Sequence, residues 1–306
     1  MFSDIKLGMD RCLLGKEETI AMNFINILIT ILGSVGNIVV CLTIALTPSL
    51  QNLSSYCIFN LSVADLLATM IVEPCLIVIL FWKLHGICLV KVEYVARLVG
   101  NLSCSISVLT LAIMSVERCL AIVKPMTYKR YITTTRLKTL LINSWLFCFI
   151  TPCLDAFVDE DKKKTYVLFS MISMAILFVI ILVSYAFLFR AVRKQSYARQ
   201  QLRNTTSVSH EAEKRLARTV ALVIGLFTIF WSPIIVRMAF KPDKNYGSDY
   251  VWTVIASLAN SAVNPFVYFF RSKTFRISVR NIFQWGRCCK NNRVAQVTSG
   301  KADSKV

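Results

Sequence analysis

Seven separate apolar runs, each long enough to cross a bilayer, constrain this chain more than anything else in it. They cover Ala21–Leu46, Tyr56–Trp82, Val92–Val123, Leu137–Val158, Tyr166–Phe189, Leu216–Phe240 and Tyr250–Phe270. A membrane helix needs about 20 apolar residues, and at roughly 1.5 Å per residue every run reaches across the hydrocarbon core of about 30 Å. Strict two-residue alternation is absent, which argues against a barrel. Backbone N–H and C=O groups find no water in hydrocarbon, and a helix satisfies them internally. The expected fold is an all-α membrane protein, a seven-transmembrane helix bundle. Composition agrees: 56% of the 306 residues are hydrophobic and 17% charged, where soluble domains hold about 45–50% and about 25%.

The formal charge of +18 would suggest nucleic acid in a soluble protein. Here the basic residues sit in the short gaps between apolar runs, so membrane topology accounts for them and no nucleic-acid partner is expected. The gaps 124–138 and 190–215, the stretch after 270 and Arg218 hold 22 Lys and Arg against three acids, Glu211, Glu213 and Asp303. The remaining gaps are close to balance. By the positive-inside rule the first set faces the cytoplasm and the N-terminus lies outside. Residues 1–20 are too charged for a signal peptide, so span one is expected to act as the uncleaved targeting signal. The N-x-S/T sites at Asn52, Asn60, Asn101 and Asn204 fall in spans or cytoplasmic gaps, and no glycosylation is expected there.

The expected organisation is an extracellular N-terminus (1–20), the bundle (21–270), a short amphipathic eighth helix (271–287) and a disordered cytoplasmic tail (288–306). The gaps hold no inserted domain, and the two halves show no internal repeat, which argues against a secondary transporter. Most of the 11 Cys lie inside apolar runs as small hydrophobes. The two His, at 85 and 210, have no metal-ligand spacing, and no nucleophile–base pair suggests an enzyme.

Polar groups inside the spans are the informative residues, because an Asp or Arg at a helix centre costs on the order of 2.5–3.5 kcal/mol to insert. Span one carries Gly36-Asn37. Span two carries Leu61-Ser62-Val63-Ala64-Asp65-Leu66. Span three ends Glu117-Arg118-Cys119, with Pro125 following. Span four has Trp145 and Pro152, span five Tyr185, span six Phe227, Trp231 and Pro233. Span seven reads Asn260-Ser261-Ala262-Val263-Asn264-Pro265-Phe266-Val267-Tyr268, and Cys288-Cys289 follow an amphipathic stretch holding Phe275 and Arg276.

Together these motifs, each in its proper span, resemble the rhodopsin-like (class A) G-protein-coupled receptors. The resemblance covers about residues 21–289. It implies a cell-surface, multi-pass receptor that passes the binding of an extracellular ligand to a heterotrimeric G protein, with arrestin as a further partner. Asp65 reads on its own as a neutral acid packing helices. The resemblance implies an allosteric sodium ligand, with Ser107, Asn260, Ser261 and Asn264 completing the set. These are hard oxygen donors suited to such a cation. Arg118 reads on its own as a snorkelling anchor. The resemblance implies a two-state latch with Glu117 and Glu213. Pro233 removes a backbone donor and kinks span six. Trp231 and Phe227 read as core, and by resemblance as part of the activation switch, with Trp231 the toggle beneath the ligand. Pro265 loosens span seven, and Tyr268 and Tyr185 are implied to meet near Arg118 in the active state. Met126 is implied to contact the G protein, although Lys124, Lys129 and Arg130 beside it equally suit anionic lipid. Cys288 and Cys289 suit palmitoylation.

The pattern also breaks. The usual cysteine opening span three falls at Glu93, 25 residues before Arg118. The disulfide is then missing or rerouted among Cys12, Cys88 and Cys153, and sequence does not choose a pair. Span five has Leu177 in place of its usual proline, and the outer gap 159–165 is short. These departures resemble the branch that holds melanocortin, lysophospholipid, cannabinoid and adenosine receptors. The melanocortin span-seven D-P is absent, since Asn264 precedes Pro265, and the asparagine of adenosine receptors falls at Met238.

The position of the amine-binding carboxylate is Gly100, so a monoamine ligand is not expected. The retinal lysine falls at Leu258, so this is not an opsin. The expected pocket takes in Glu73, Glu93, Arg97, Gly100, Asn101, Cys104, Trp231, Ile234 and Met238, for a peptide or lipid-like ligand. Glu73, Glu93 and Arg97 form either an internal ion pair or a recognition site for a charged ligand. Two alternatives remain: a scaffold or decoy that activates no G protein, and a transporter or channel. Against the latter, the polar track stops at Asp65 and resumes only at Arg118.

Overall fold

The computed structural model describes residues 14–157, 172, 176–184, 186–187, 189–190, 208–240, 247–282 and 284. The described residues hold helices and no strands. Helix α1 is Lys16–Leu46, and a short 3-10 turn Pro48–Leu50 leads to α2, Leu53–Lys83. Next come α3 (Val90–Val123), the short α4 (Pro125–Tyr131) and α5 (Thr134–Phe157). Helices α6 (Val208–Phe240) and α7 (Ser248–Arg271) follow, then a helical stretch at 273–282. Residues 176–184 of the fifth apolar run are helical too. Among the described residues, five helices, α1, α2, α3, the 221–240 part of α6 and α7, are long and apolar enough to cross a membrane.

The helices start before their apolar runs do. α1 begins five residues ahead of Ala21, with Glu17 and Glu18 in its first turn, where acids complement the helix dipole. α6 begins eight residues ahead of Leu216. Backbone hydrogen bonding does not stop where hydropathy changes, so the apolar run marks the membrane portion and not the helix.

α1 packs against α2 and α7, α3 lies against α2 and α5 and also meets α6, and α6 packs against α7. Two glycines allow the closest approach. A Cβ at Gly36 would stand 2.8 Å from the ring of Pro265, and one at Gly33 would stand 2.5 Å from Thr69 and 3.3 Å from the Ala262 backbone. Small residues at such crossings let backbones meet where no hydrophobic force drives helices together. Asn37 seals the contact by donating to the Gly33 and Ser261 carbonyls, each at 2.9 Å. A second tie joins three helices: Asn60 of α2 donates to Thr110 of α3 at 2.7 Å and accepts from the Trp145 indole of α5 at 2.8 Å.

The main core lies toward the end that carries Arg118, termed the inner end after the charge-based orientation. It gathers Val40, Leu61, Leu111, Met114, Val223, Phe227 and Tyr268, and Phe275 of the 273–282 stretch joins it. Outward-facing Phe24, Ile31, Val35, Phe147, Phe149 and Ile229 are all more than half exposed. A surface so apolar is that of a protein solvated by lipid.

Candidate functional site

Asp65 sits at the middle of the bundle, almost wholly buried. Its Oδ1 accepts from the Ser261 hydroxyl at 2.7 Å and its Oδ2 from the Asn264 amide at 2.8 Å. The hydrogen bonds therefore run from α2 to α7, and Asn37 adds α1 through the Ser261 carbonyl. Ser107 and Asn260 are buried as well. The amide oxygens of Asn37, Asn260 and Asn264 have no hydrogen-bond partner. The structure thus brings Asp65, Ser261 and Asn264 together directly and leaves neighbouring oxygen acceptors unsatisfied. Such a donor set, one carboxylate with amide and hydroxyl oxygens, fits a hard monovalent cation.

Below it, Leu61, Leu111 and Met114 form a layer with almost no exposure. Beneath that layer is the inner charged cluster. The Arg118 guanidinium holds the Glu117 carboxylate with two hydrogen bonds, from Nε and Nη2. The Tyr128 hydroxyl donates to Glu117 Oε1 at 2.6 Å, and Ser54 of α2 donates to Oε2 at 3.3 Å. Arg118 Nη2 also reaches the Tyr128 oxygen at 3.4 Å. Both members of the pair are at most 5% exposed. Burial and the adjacent Glu117 carboxylate push the Tyr128 phenol above its ordinary range, so it remains a donor. Sequence reading did not single out Tyr128, Ser54 or Asn60, because their roles depend on which helices meet.

Trp231 and Phe227 stack in α6 with ring centroids 5.4 Å apart, and Phe178 lies 6.0 Å from Phe227. Pro233 is inside α6 and Pro265 inside α7. The Tyr268 hydroxyl is buried with no partner. Met126 is 81% exposed at the inner end. The expected positions Tyr185, Cys12, Cys288 and Cys289 lie outside the described residues, and so does the side chain of Glu213.

The outer end carries the expected charged residues Glu73, Glu93 and Arg97. Glu93 pairs with Lys83 at 3.2 Å, and Arg97 lies over the Tyr94 ring at 5.4 Å. Glu73 is fully buried between α1 and α2, and its carboxyl has no hydrogen-bond partner. Sequence alone assigns it to the ligand pocket with Glu93 and Arg97; here it is turned to α1. The π turn Ala68–Val72 just before it supplies a cause for that direction. Arg97 and Asn101 are exposed, Gly100, Cys104 and Trp231 are half-buried, Ile234 is buried, and Met238 is 41% exposed. Cys88 is in a disulfide and Cys153 is free, which removes every pairing that includes Cys153.

Comparison with known proteins agrees with this architecture. The profile of the 7 transmembrane receptor (rhodopsin family) matches residues 36–162 and 150–268. The chain is 26% identical to the human adenosine receptor A2a over 299 residues, covering 85% of this chain and 71% of that one. It is 25% identical to the human melanocortin receptor 5 over 280 residues, covering 87% and 83%. Squid rhodopsin shares the fold with a TM-score of 0.75 at 20% identity, over 90% of this chain and 88% of its own. With the family match spanning most of a bundle built around Asp65 and Arg118, the chain belongs to the rhodopsin family of seven-transmembrane receptors and is a G-protein-coupled receptor.

Proposed function

We propose that this receptor resides in the plasma membrane with its N-terminus outside, and that it answers a peptide or lipid-like ligand. The observation that carries the mechanism is the closed inner cluster, in which Arg118 is held by Glu117 and capped by Tyr128. A guanidinium so engaged is withheld from a partner. Agonist binding between the outer halves of the spans favours a second state, in which Arg118 is released and α6 swings outward at Pro233. Trp231 and Phe227 couple the two levels. The freed Arg118 and the exposed Met126 then contact the α subunit of the G protein. Ligand efficacy is the difference in affinity for the two states. The chain catalyses nothing itself, and nucleotide exchange takes place on the partner.

The ligand reading rests on Gly100 and Met238. Gly100 offers no carboxylate to an amine. The thioether at Met238 cannot give the paired hydrogen bonds of an amide, which argues against a nucleoside held as in adenosine receptors. Glu93, Arg97, Gly100, Asn101, Cys104, Trp231, Ile234 and Met238 remain the proposed lining. A sodium ion at Asp65, with Ser107, Asn260, Ser261 and Asn264, stabilises the resting state. Glu213 is the proposed second partner of Arg118, Tyr185 and Tyr268 meet in the active state, and Pro265 loosens α7 for it. The tail carries palmitate at Cys288 and Cys289, and arrestin and anionic lipid bind the inner face. The proposed outer disulfide is Cys12–Cys88.

The test is a G-protein dissociation assay in cells, screening peptides and lipids against wild type and Arg97→Ala. Activation of wild type by one class, with a right-shifted response in Arg97→Ala, supports the reading. Activation by a monoamine alone overturns the ligand class, and no coupling under any agonist leaves the scaffold alternative.

A further inference from the structure

Glu73 is the one group in the bundle whose surroundings the receptor mechanism leaves unexplained. It is 0% exposed, and both carboxyl oxygens lack a hydrogen-bond donor. Ionised and without a partner, such a carboxylate would be among the costliest arrangements in a protein. The local backbone puts it there. Pro74 has no N–H to continue the ladder, and the turn before it widens so that the Glu73 N–H bonds to the Ala68 carbonyl, five residues back. One extra residue in a turn rotates every later position of the helix by about 100°, and such bulges recur at functional sites. The rotation brings Glu73 against α1.

The groups near Glu73 carry unsatisfied oxygens, and the donor that lies beside its carboxyl is the Thr30 hydroxyl. The Asn26 amide donates to the Glu73 backbone carbonyl at 3.0 Å, so the two residues are in contact. That contact uses the Asn26 N–H and leaves its buried Oδ1 with no partner. Thr30, one turn along the same face of α1, lies beside the Glu73 carboxyl, but its hydroxyl proton goes to the Asn26 carbonyl at 2.8 Å. Thr69, one turn before Glu73 and fully buried on Gly33, has an unpartnered Oγ1. Asn23, one turn outward from Asn26 and half-buried, has an unpartnered Oδ1. The nearest basic side chain on α2, Lys83, is paired with Glu93. The other charged group whose field reaches Glu73 is Asp65, also an acid.

We propose that Glu73, with the Asn26 amide oxygen and neighbouring hydroxyls, forms a second cation site between α1 and α2, taking a hard monovalent cation such as sodium. One carboxylate surrounded by amide and hydroxyl oxygens balances a single positive charge, whereas a divalent ion draws on several carboxylates. The site stands outward of Asp65 by eight residues, about 12 Å along a helix, so the two are separate. Half-buried Asn23 marks the way in from the outer end. This inference does not depend on sodium at Asp65.

The experiment measures the thermal midpoint of the purified full-length receptor in nanodiscs, in sodium chloride and in choline chloride at equal ionic strength. Wild type, Asp65→Asn, Glu73→Gln and the double variant are compared. A second site predicts that Asp65→Asn keeps part of the sodium-dependent rise in midpoint and that the double variant loses it. It also predicts that Glu73→Gln is at least as stable as wild type in choline, because an unbalanced charge has been removed. If Asp65→Asn alone abolishes every sodium-dependent shift, the second site is wrong. If Glu73→Gln lowers the midpoint equally in both salts, Glu73 is a structural group and the proposal falls. Asn26→Leu in the Asp65→Asn background reads the same loss should Glu73→Gln not be recovered folded. Failure of the Asp65 sodium reading shows as a sodium-dependent shift that Asp65→Asn leaves unchanged, and failure of this one as no shift left in Asp65→Asn or an equal loss in both salts in Glu73→Gln.

Discussion

The inner and outer ends of the bundle treat buried charge in opposite ways. At the inner end, Glu117 takes donors from Arg118, Tyr128 and Ser54, so the cluster is complete within itself. In the outer half, Glu73 takes none, and the amide oxygens of Asn23 and Asn26 beside it are empty-handed. Asp65 stands between, joined to α7 by two donors yet ringed by unsatisfied Asn37, Asn260 and Asn264 oxygens. On the proposed reading, a complete cluster stores a state and must be broken to act. An incomplete one waits for something to arrive. The apolar layer of Leu61, Leu111 and Met114 keeps the two from mixing.

That contrast breaks most severely at Arg118. Arg118→Ala removes the group expected to meet the G protein, and agonist-driven nucleotide exchange should fall to background at unchanged surface expression. Glu117→Gln weakens the hold on Arg118 without removing it, and ligand-independent exchange should rise several-fold, read by GTPγS binding in membranes. Glu213→Ala sharpens the same point, since an equal rise would make it a full member of the latch.

Stability variants test the frame that holds the two ends apart. Gly36→Ala drives a methyl into the Pro265 ring, which has no flexible end to yield, and should cost about 1–3 kcal/mol. Asn60→Ala strands the Trp145 N–H, while Thr110 keeps its bond to the Ile106 carbonyl, for a loss of about 1–3 kcal/mol in thermal unfolding. The smallest effect is expected of Tyr128→Phe, which removes one donor to Glu117 and should raise basal exchange less than Glu117→Gln does. The Tyr128 phenol is raised, so its proton is favoured in the folded state and is lost only as pH climbs through that raised value. Basal exchange should therefore stay flat from neutral pH to about 10, the ordinary phenol value. A rise within that range, absent in Tyr128→Phe, would show the cap opening early.

Much of this was legible in the sequence because lipid imposes strong rules. Apolar runs located the helices in the described regions, and the cost of burying Asp65 and Arg118 marked both as candidates before any contact was known. The helix ends were not legible, since polar turns such as Lys16–Ile20 extend a helix beyond its apolar run. The direction of Glu73 was not legible either. Pro74 was the one signal, yet a proline alone does not say whether the turn before it widens. Tyr128 carried no signal at all: one tyrosine in a basic gap gains its role only when α4 folds back beneath Glu117. The partners of Glu93 and Asn60 likewise lie on other helices, beyond the reach of one-dimensional spacing.

The most direct test of the latch is GDP release from purified heterotrimers by reconstituted receptor, comparing wild type, Glu117→Gln and Glu117→Gln/Arg118→Ala without ligand. Faster release with Glu117→Gln, cancelled by the added Arg118→Ala, is the predicted result. Equal release from all three proteins would contradict it.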